Sequence, residues 1–349
     1  MTPTEPTAIS PSTPSTAKVA FVLERYGVLV AFGGLILWNA VFSSGASTFR
    51  DPTNLRNILN QNAATGIVAV GMTLVIVVGG IDLSVGSIMA LAGASAILIM
   101  NSLLASGMSE WTAVACAGSI AIAIGLACGA LNGLLVTLGR LPAFIATLGG
   151  LSAFRSITLA IADGGELRAD ATEVLTLIGR GGIPLVPGSL IGRSTALVVY
   201  WNILLFFAIA ILGEIILSRS RFGRHVVAVG GNETAARYSA IPVNRVRLIT
   251  YVLIGGLASV AGLILTARNN SMSSSQLGLL MELDAIAAVV IGGTSMAGGR
   301  GRVWGTVLGV LILAIINNML VVAEVSPYWQ GCVKGAIIVL AVLIQRGRR

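Results

Sequence analysis

Stretches of uninterrupted apolar residues, each close to the length that spans a bilayer, recur along almost the whole 349-residue chain. A helix rises about 1.5 Å per residue, so about 20 mostly apolar residues are needed to cross the hydrocarbon. Ten such runs are read at about 26–44, 57–79, 84–100, 111–138, 142–162, 196–217, 248–267, 282–298, 303–322 and 330–345. Lipid admits only helices and closed barrels, and these runs are continuous instead of alternating, which selects helices. Composition agrees: 55% of residues are apolar and 10% charged, where a soluble domain carries about 25% charged residues. A water-soluble globular fold is excluded. The expected class is an all-α membrane protein of about ten transmembrane helices.

The N-terminal residues 1–25 open with a Ser-, Thr- and Pro-rich stretch that has nothing to bury, which predicts a disordered cytoplasmic tail. The first run follows that polar tail and exceeds the usual 7–15-residue signal core, so it reads as an uncleaved span. A single transmembrane domain is expected over 26–345, followed by the short basic cytoplasmic tail 346–349. Ten spans place both termini on one side. With the N-terminus inside, 14 of the 22 basic residues fall on the cytoplasmic side and 6 outside, and Arg155 and Lys334 lie within spans. The bias predicts N-in and C-in, and it accounts for the net charge of +8 without nucleic acid. Cys116, Cys128 and Cys332 are odd in number and sit in apolar runs, so they are read as buried packing residues.

Two long loops stand out: an extracytoplasmic one at 163–195, which begins with four acids, and an arginine-rich cytoplasmic one at 218–247. There is also a weak internal two-fold repeat. Val78-Gly79-Gly80-Ile81-Asp82-Leu83-Ser84-Val85-Gly86 separates two apolar runs, and Ile291-Gly292-Gly293-Thr294-Ser295-Met296-Ala297-Gly298-Gly299 does the same in the second half. Duplication of this kind suits halves that rock about a central site.

The first copy is the most informative intramembrane segment. A carboxylate at the centre of a membrane helix costs about 2.5–3.5 kcal/mol, so Asp82 must lie near water or meet donors. Two roles are open. Asp82 caps the next helix by accepting backbone N–H groups, or the segment is a helix break beside a translocation path, with Gly80, Asp82 and Ser84 facing it. Gly125, Gly129 and Gly133 share one helix face and read as a close helix contact. Asn132 on the adjoining face, together with Asn317 and Asn318, offers amides either as interhelical glue or to a polar substrate on the path.

Catalytic patterns are absent. The only lysines, Lys18 and Lys334, end no phosphate-cradling loop, and His225 has no metal-spaced companion. No nucleophile elbow or HExxH pattern is found, so no catalytic residue, metal or cofactor is assigned. Glu214, Arg155, Glu282, Asp284 and Lys334 lie mostly near span ends, where side chains snorkel to water, and this weakens an ion- or proton-coupled secondary carrier. In the cytoplasmic loop, Asn232-Glu233-Thr234-Ala235-Ala236-Arg237-Tyr238-Ser239-Ala240 has helical character, with Asn232 as cap, Ile241 after it and Pro242 beyond its end. Either a short helix projects there as a docking site, or the basic loop lies on anionic lipid.

Three ordered segments carry a family resemblance: GGIDLSVGSIMALAGA (79–94), GRHVVAVGGNETAARYSAIPVNRVR (223–247) and ELDAIAAVVIGGTSMAGGRGRVWGT (282–306). They resemble the permease subunits of sugar ATP-binding-cassette importers of the ribose, xylose, arabinose and galactose type, which also include autoinducer permeases. The resemblance implies a non-enzymatic inner-membrane subunit that pairs with a second permease chain, as a homodimer or heterodimer. It also implies a periplasmic or surface-tethered sugar-binding protein and separate ATPase subunits as partners. The family's coupling helix falls on Asn232, Glu233, Thr234, Ala235, Ala236, Arg237, Tyr238 and Ile241.

Overall fold

The computed structural model describes residues 51–186 and 197–326, with short pieces at 32–34, 36–37, 49, 328–333, 335–336 and 339. The expected tail 1–25, most of the first and last spans, the end of the 163–195 loop from 187 onward and the tail 346–349 lie outside the described residues. Within them, seven helices are long and apolar enough to cross a membrane. They are α1 (Pro52–Val77), α2 (Val85–Ala105), α3 (Glu110–Thr137), α4 (Ala143–Ile161), α6 (Trp201–Arg219), α9 (Val243–Asn269) and α11 (Val303–Val322).

Three of these helix starts have an identifiable local cause. Asp51 accepts the Thr53 N–H at 2.8 Å and Pro52 occupies the first turn of α1, where a missing N–H costs nothing. Ser109 caps α3. The N-terminus of α11 has no cap of its own. Glu214, on α6, accepts the N–H groups of Val303 at 2.9 Å and Trp304 at 3.4 Å and places a carboxylate at the positive end of the α11 dipole. This corrects the expectation that Glu214 merely reaches for water. Arg155 is likewise turned inward: its guanidinium donates to the carbonyls of Ser274 and Leu277 at 2.9 and 3.0 Å.

The run expected at 282–298 is not a span. Only α10 (Met281–Ile291) forms there, about 16 Å long and half the hydrocarbon thickness, because Gly292 and Gly293 turn the chain out of the helix. The outer loop is also more ordered than its composition indicated. It holds β1 (Glu166–Arg168), α5 (Thr172–Arg180), β2 (Gly182–Val186) and β3 (Leu197–Tyr200). Two antiparallel ribbons result: β2 pairs with β3, and β1 pairs with β4 (Ser271–Ser273), which follows α9. The 218–247 loop, expected on the cytoplasmic side, contains α7 (Arg221–Gly231) and α8 (Glu233–Tyr238).

α1 is the central element, buried without interruption from Gly66 to Val77 and in contact with α6, α9, α10 and α11. α3 and α9 cross most closely. At Gly125 a Cβ would strike Ser259 and the Gly255 carbonyl, at Gly129 the Tyr251 carbonyl, and at Gly133 the side chain of Leu248. Glycine is required there because the opposing atoms are largely backbone and cannot swing away. The outward faces of α3, α4 and α6 leave leucines, isoleucines and Phe144 exposed, as a lipid-facing surface demands. Cys128 is buried, but Cys116 and Cys332 lie on outward faces, so only one of the three cysteines is a packing residue.

Gly129→Ala is expected to lower the thermal stability of the detergent-solubilised protein by the equivalent of about 1–3 kcal/mol, the usual range for overpacking. Gly118→Ala on the same helix, where a Cβ meets nothing within 4 Å, should leave stability unchanged or slightly raised. Thermal unfolding followed by near-ultraviolet circular dichroism checks both.

Candidate functional site

The segment between α1 and α2 is a buried polar knot. α1 ends when the N–H of Gly79 turns back to the Ile76 carbonyl and that of Gly80 to Val75, with Gly79 at φ +88°, a conformation costly for any residue with a Cβ. Asp82 Oδ1 then accepts both the Ser84 N–H (2.8 Å) and the Ser84 hydroxyl (2.6 Å). Asn132 Nδ2 on α3 donates to the same hydroxyl at 2.7 Å, so one directed chain runs from Asn132 through Ser84 to Asp82. All three residues are completely buried. Asp82 Oδ2 and Asn132 Oδ1 have no partner among the described residues. Tyr251 on α9 donates to the Ile81 carbonyl, and its hydroxyl lies so close to Gly80 that a Cβ there would come within 2.6 Å.

Four of the five path residues proposed from sequence, Gly80, Asp82, Ser84 and Asn132, therefore meet at one place. Asn317 does not join them. It lies in the last turns of α11, beside the first turns of α1, in a cavity of about 760 Å³ at the other end of that helix.

The second glycine-rich copy repeats the turn of the first with a different register. Gly293 has φ +88°, its N–H returns to Val290, and the next N–H, of Thr294, returns to Val289. Gly79 thus corresponds to Gly293, one residue on from the alignment read from the sequence, because the position requiring positive φ fixes the register. In that register Met296 stands opposite Asp82, so the second loop has no counterpart to the buried carboxylate. The two loops touch: the Gly299 N–H donates to the Val77 carbonyl at 2.9 Å, and Gly298 packs against Gly79.

A third glycine segment, from the cytoplasmic loop, closes this junction. At Gly230, near the end of α7, a Cβ would strike the Val77 carbonyl and the Gly299 N–H. Ser220 caps α7, which buries Val226 and Val229. Asn232 caps α8 by accepting the Ala235 N–H at 2.9 Å. Of the residues read as the coupling helix, Asn232, Thr234, Ala235, Arg237 and Tyr238 are exposed, and Tyr238 stands 89% in the open. Ala236 is 3% exposed and belongs to the core; Ile241 packs partly against it.

Glu233 is held by its own fold. One oxygen accepts from Arg237 at 2.8 Å and the other from Arg247 on α9 at 2.6 Å. The Arg237 hydrogen bond is the largest influence, with Arg247 assisting against partial burial, and the carboxyl lies below the ordinary glutamate range. These residues, with Arg140, Asn244, Tyr251 and the Val78–Gly80 turn, line a pocket of about 590 Å³ beneath α8.

Several of these parts escaped the reading of the sequence. Arg247 was read only as one more arginine of the basic loop and Tyr251 as part of an ordinary apolar span, and α7 was hidden in that loop, although Val226 and Val229 at i, i+3 mark one apolar face. The Thr73–Thr306 hydroxyl contact, 2.7 Å across α1 and α11, had no signal that one sequence carries.

Membrane-length helices around a central one, broken by buried glycine turns that meet the structured α7–α8 hairpin, define a multi-pass transport permease. The chain belongs to the family described as branched-chain amino acid transport system / permease component, whose pattern matches residues 54–342. It is 42% identical over 330 residues to the ribose import permease protein RbsC of Escherichia coli K12, covering 95% of this chain and 96% of that one. The ribose import permease protein RbsC of Bacillus subtilis 168 is 40% identical over 326 residues, covering 93% and 94% of the two chains. The xylose transport system permease protein XylH of Haemophilus influenzae is 33% identical over 377 residues, covering 94% and 97%. No solved structure matches significantly.

Because the folded Glu233 carboxyl is more acidic than in an unfolded chain, its contribution to α8 is complete above the ordinary glutamate range and is lost as pH falls through the lowered folded value. Amide exchange in α8 should therefore be pH-insensitive, after correction for intrinsic rates, down to about 4.3, the ordinary glutamate value. Glu233→Gln should raise exchange about two- to five-fold at neutral pH, the scale of a partly exposed ion pair. Hydrogen-exchange mass spectrometry reads both.

Proposed function

We propose that this chain is the permease subunit of an ATP-binding-cassette importer for a monosaccharide, a ribose-like pentose or a hexose. The sugar is handed over by a periplasmic or surface-tethered binding protein, and separate ATPase subunits drive the cycle. Both termini lie in the cytoplasm, and a second permease chain completes the pathway. Similarity to ribose and xylose permeases over more than nine-tenths of the chain supports this reading. The observation that carries the mechanism is the linkage from α8 through Gly230 to the turns that end α1 and α10.

The mechanism follows from that linkage. Tyr238, Thr234, Ala235 and Arg237 present an exposed face, and Tyr238 is the aromatic anchor for a groove on an ATPase subunit. Glu233 and Ala236 do not meet the partner. Glu233 ties α8 to α9 through Arg247, and Ala236 seats it in the core, so a push on α8 is delivered as a rigid displacement. At Gly230 that displacement meets the Val77 carbonyl directly, with no side chain between to absorb it. The Gly80–Asp82–Ser84–Asn132 knot, fastened to the same turn, forms the inner seal, and Asn317 lies on the outer part of the path. ATP-driven approach of two such hairpins switches the seal between two packed arrangements.

A secondary carrier would place an exchangeable acid–base pair along the path. Here Glu214 is engaged by the backbone N–H groups at the start of α11 instead, which supports an external motor.

Tyr238→Ala should reduce ATPase recruitment to the membrane about ten-fold or more, a hot-spot loss, while leaving membrane level and folding intact. Co-purification of the ATPase with the tagged permease measures it. Reconstituted alone with an ion gradient, the chain should accumulate no sugar; accumulation without the ATPase would overturn the importer reading.

A further inference from the structure

The cavity at the end of the bundle remote from α8 has an unusual lining. Asn54, Asn57 and Gln61 recur at i, i+3 and i+7 on α1, which sets them on one helix face, and Asn317 and Asn318 face them from α11. Seven side-chain amides in all reach an apolar bundle here, Asn60 and Asn62 completing the set, while the only ionic groups lining the cavity are Arg268 and Asp284, one of each sign. Asn54 and Asn318 donate to each other reciprocally at 3.2 and 3.1 Å and form a closed pair. Asn60 is occupied by Asn202, and its carbonyl by Arg268. Gln61 and Asn317 are not so engaged: neither makes a side-chain hydrogen bond among the described residues, and the Asn317 Oδ1 is buried and unpartnered. Gln61 lies exposed at the cavity and the buried Asn317 Oδ1 is costly while unmet, so both are poised for a partner that no described residue supplies.

The chemistry of that partner is restricted. An amide offers two N–H donors and a carbonyl acceptor a few ångströms apart, the complement of a hydroxyl that both gives and takes a hydrogen bond. Several amides facing a volume of about 760 Å³, within the range of ordinary ligand pockets, suit a small, neutral, polyhydroxylated molecule. An anion or cation would find no surplus of opposite charge. The fixed Asn54–Asn318 pair is the wall; Gln61 and Asn317 are the open contacts.

We infer that this cavity is a polyol-recognition subsite within the permease itself, so that sugar selection does not rest with the binding protein alone. The inference deepens the importer reading and rests on it for the identity of the sugar and for which end faces outward.

The test uses the complete importer, this chain with its ATPase and binding protein, in proteoliposomes, and measures D-ribose and D-xylose uptake together with ATP hydrolysis. Gln61→Leu and Asn317→Leu should lower uptake per ATP hydrolysed about ten-fold, the loss expected when a hydroxyl partner is removed. Hydrolysis stimulated by the loaded binding protein should stay within about two-fold, and Asn317→Ser, which keeps a hydrogen-bonding group, should recover part of the uptake. Unchanged uptake in both leucine variants would overturn the subsite. So would a parallel loss of uptake and hydrolysis at normal membrane level, since that marks a structural role. If the native complex moves neither pentose, the importer assignment is what fails. The cavity is then judged by Asn317→Cys in a chain whose three native cysteines are replaced by alanine. Labelling of intact cells by a membrane-impermeant maleimide supports an outward-facing cavity, and lack of labelling overturns it.

Discussion

The arrangement depends on one backbone meeting, at the Val77 carbonyl where α1 ends. It accepts the Gly299 N–H and lies directly under Gly230, so the chain is brought together from its first half, its α7–α8 hairpin and its second half within one van der Waals layer. Hydrocarbon supplies no water to satisfy a carbonyl at a helix end, and any side chain at these glycines would push the three segments apart. The glycines are therefore a consequence of the contact. A junction made of backbone is also stiff: there is no rotamer to hop, and movement of one segment must move the others or break a hydrogen bond.

The same economy governs the charged groups. Glu214 caps α11 from a neighbouring helix, Arg155 gathers carbonyls of the 274–277 segment, and Glu233 joins α8 to α9. Each settles an unmet backbone group or fixes one element on another. In the cavity remote from α8 the polar capacity left over is mainly amide. Such groups bind neutral solutes weakly and release them, as a conduit requires.

Much of the bundle was legible in the sequence, for a definable reason. The apolar runs fix where hydrocarbon is crossed, and six spans matched observed helices with ends no more than five residues away; the seventh, α6, also began five residues later. The discrepancies are systematic. Hydropathy reads lipid contact and not helicity, so α1 begins earlier than expected, across the polar stretch Asn54–Asn57, and α9 begins at Val243 across Arg245 and Arg247. The run at 282–298 failed for the opposite reason: it is apolar enough, but Gly292-Gly293 ends the helix after half a crossing. At the site, Asp82, Ser84 and Asn132 could be nominated because carboxylates and amides are conspicuous in apolar runs. Their joining, and the partnership of Glu233 with Arg247, depend on contacts between residues 14 to 48 positions apart, for which a single sequence has no signal.

The two polar regions lie at opposite ends of α1, a helix about 39 Å long. Near the remote end it carries amides; from Gly66 to Val77 it is wholly buried; at the other it enters the glycine junction and the arginine-lined pocket. No single rearrangement needs to carry a solute the whole distance if each end opens in turn, with the buried length of α1 as a fixed septum. Because α1 touches both the hairpin, through Val77, and the amide cavity, through Asn54–Gln61, a small axial or rotational shift imposed at one end changes the lining at the other without unfolding anything between. A bundle with a stiff central helix can thus be driven from the end that carries the α7–α8 hairpin.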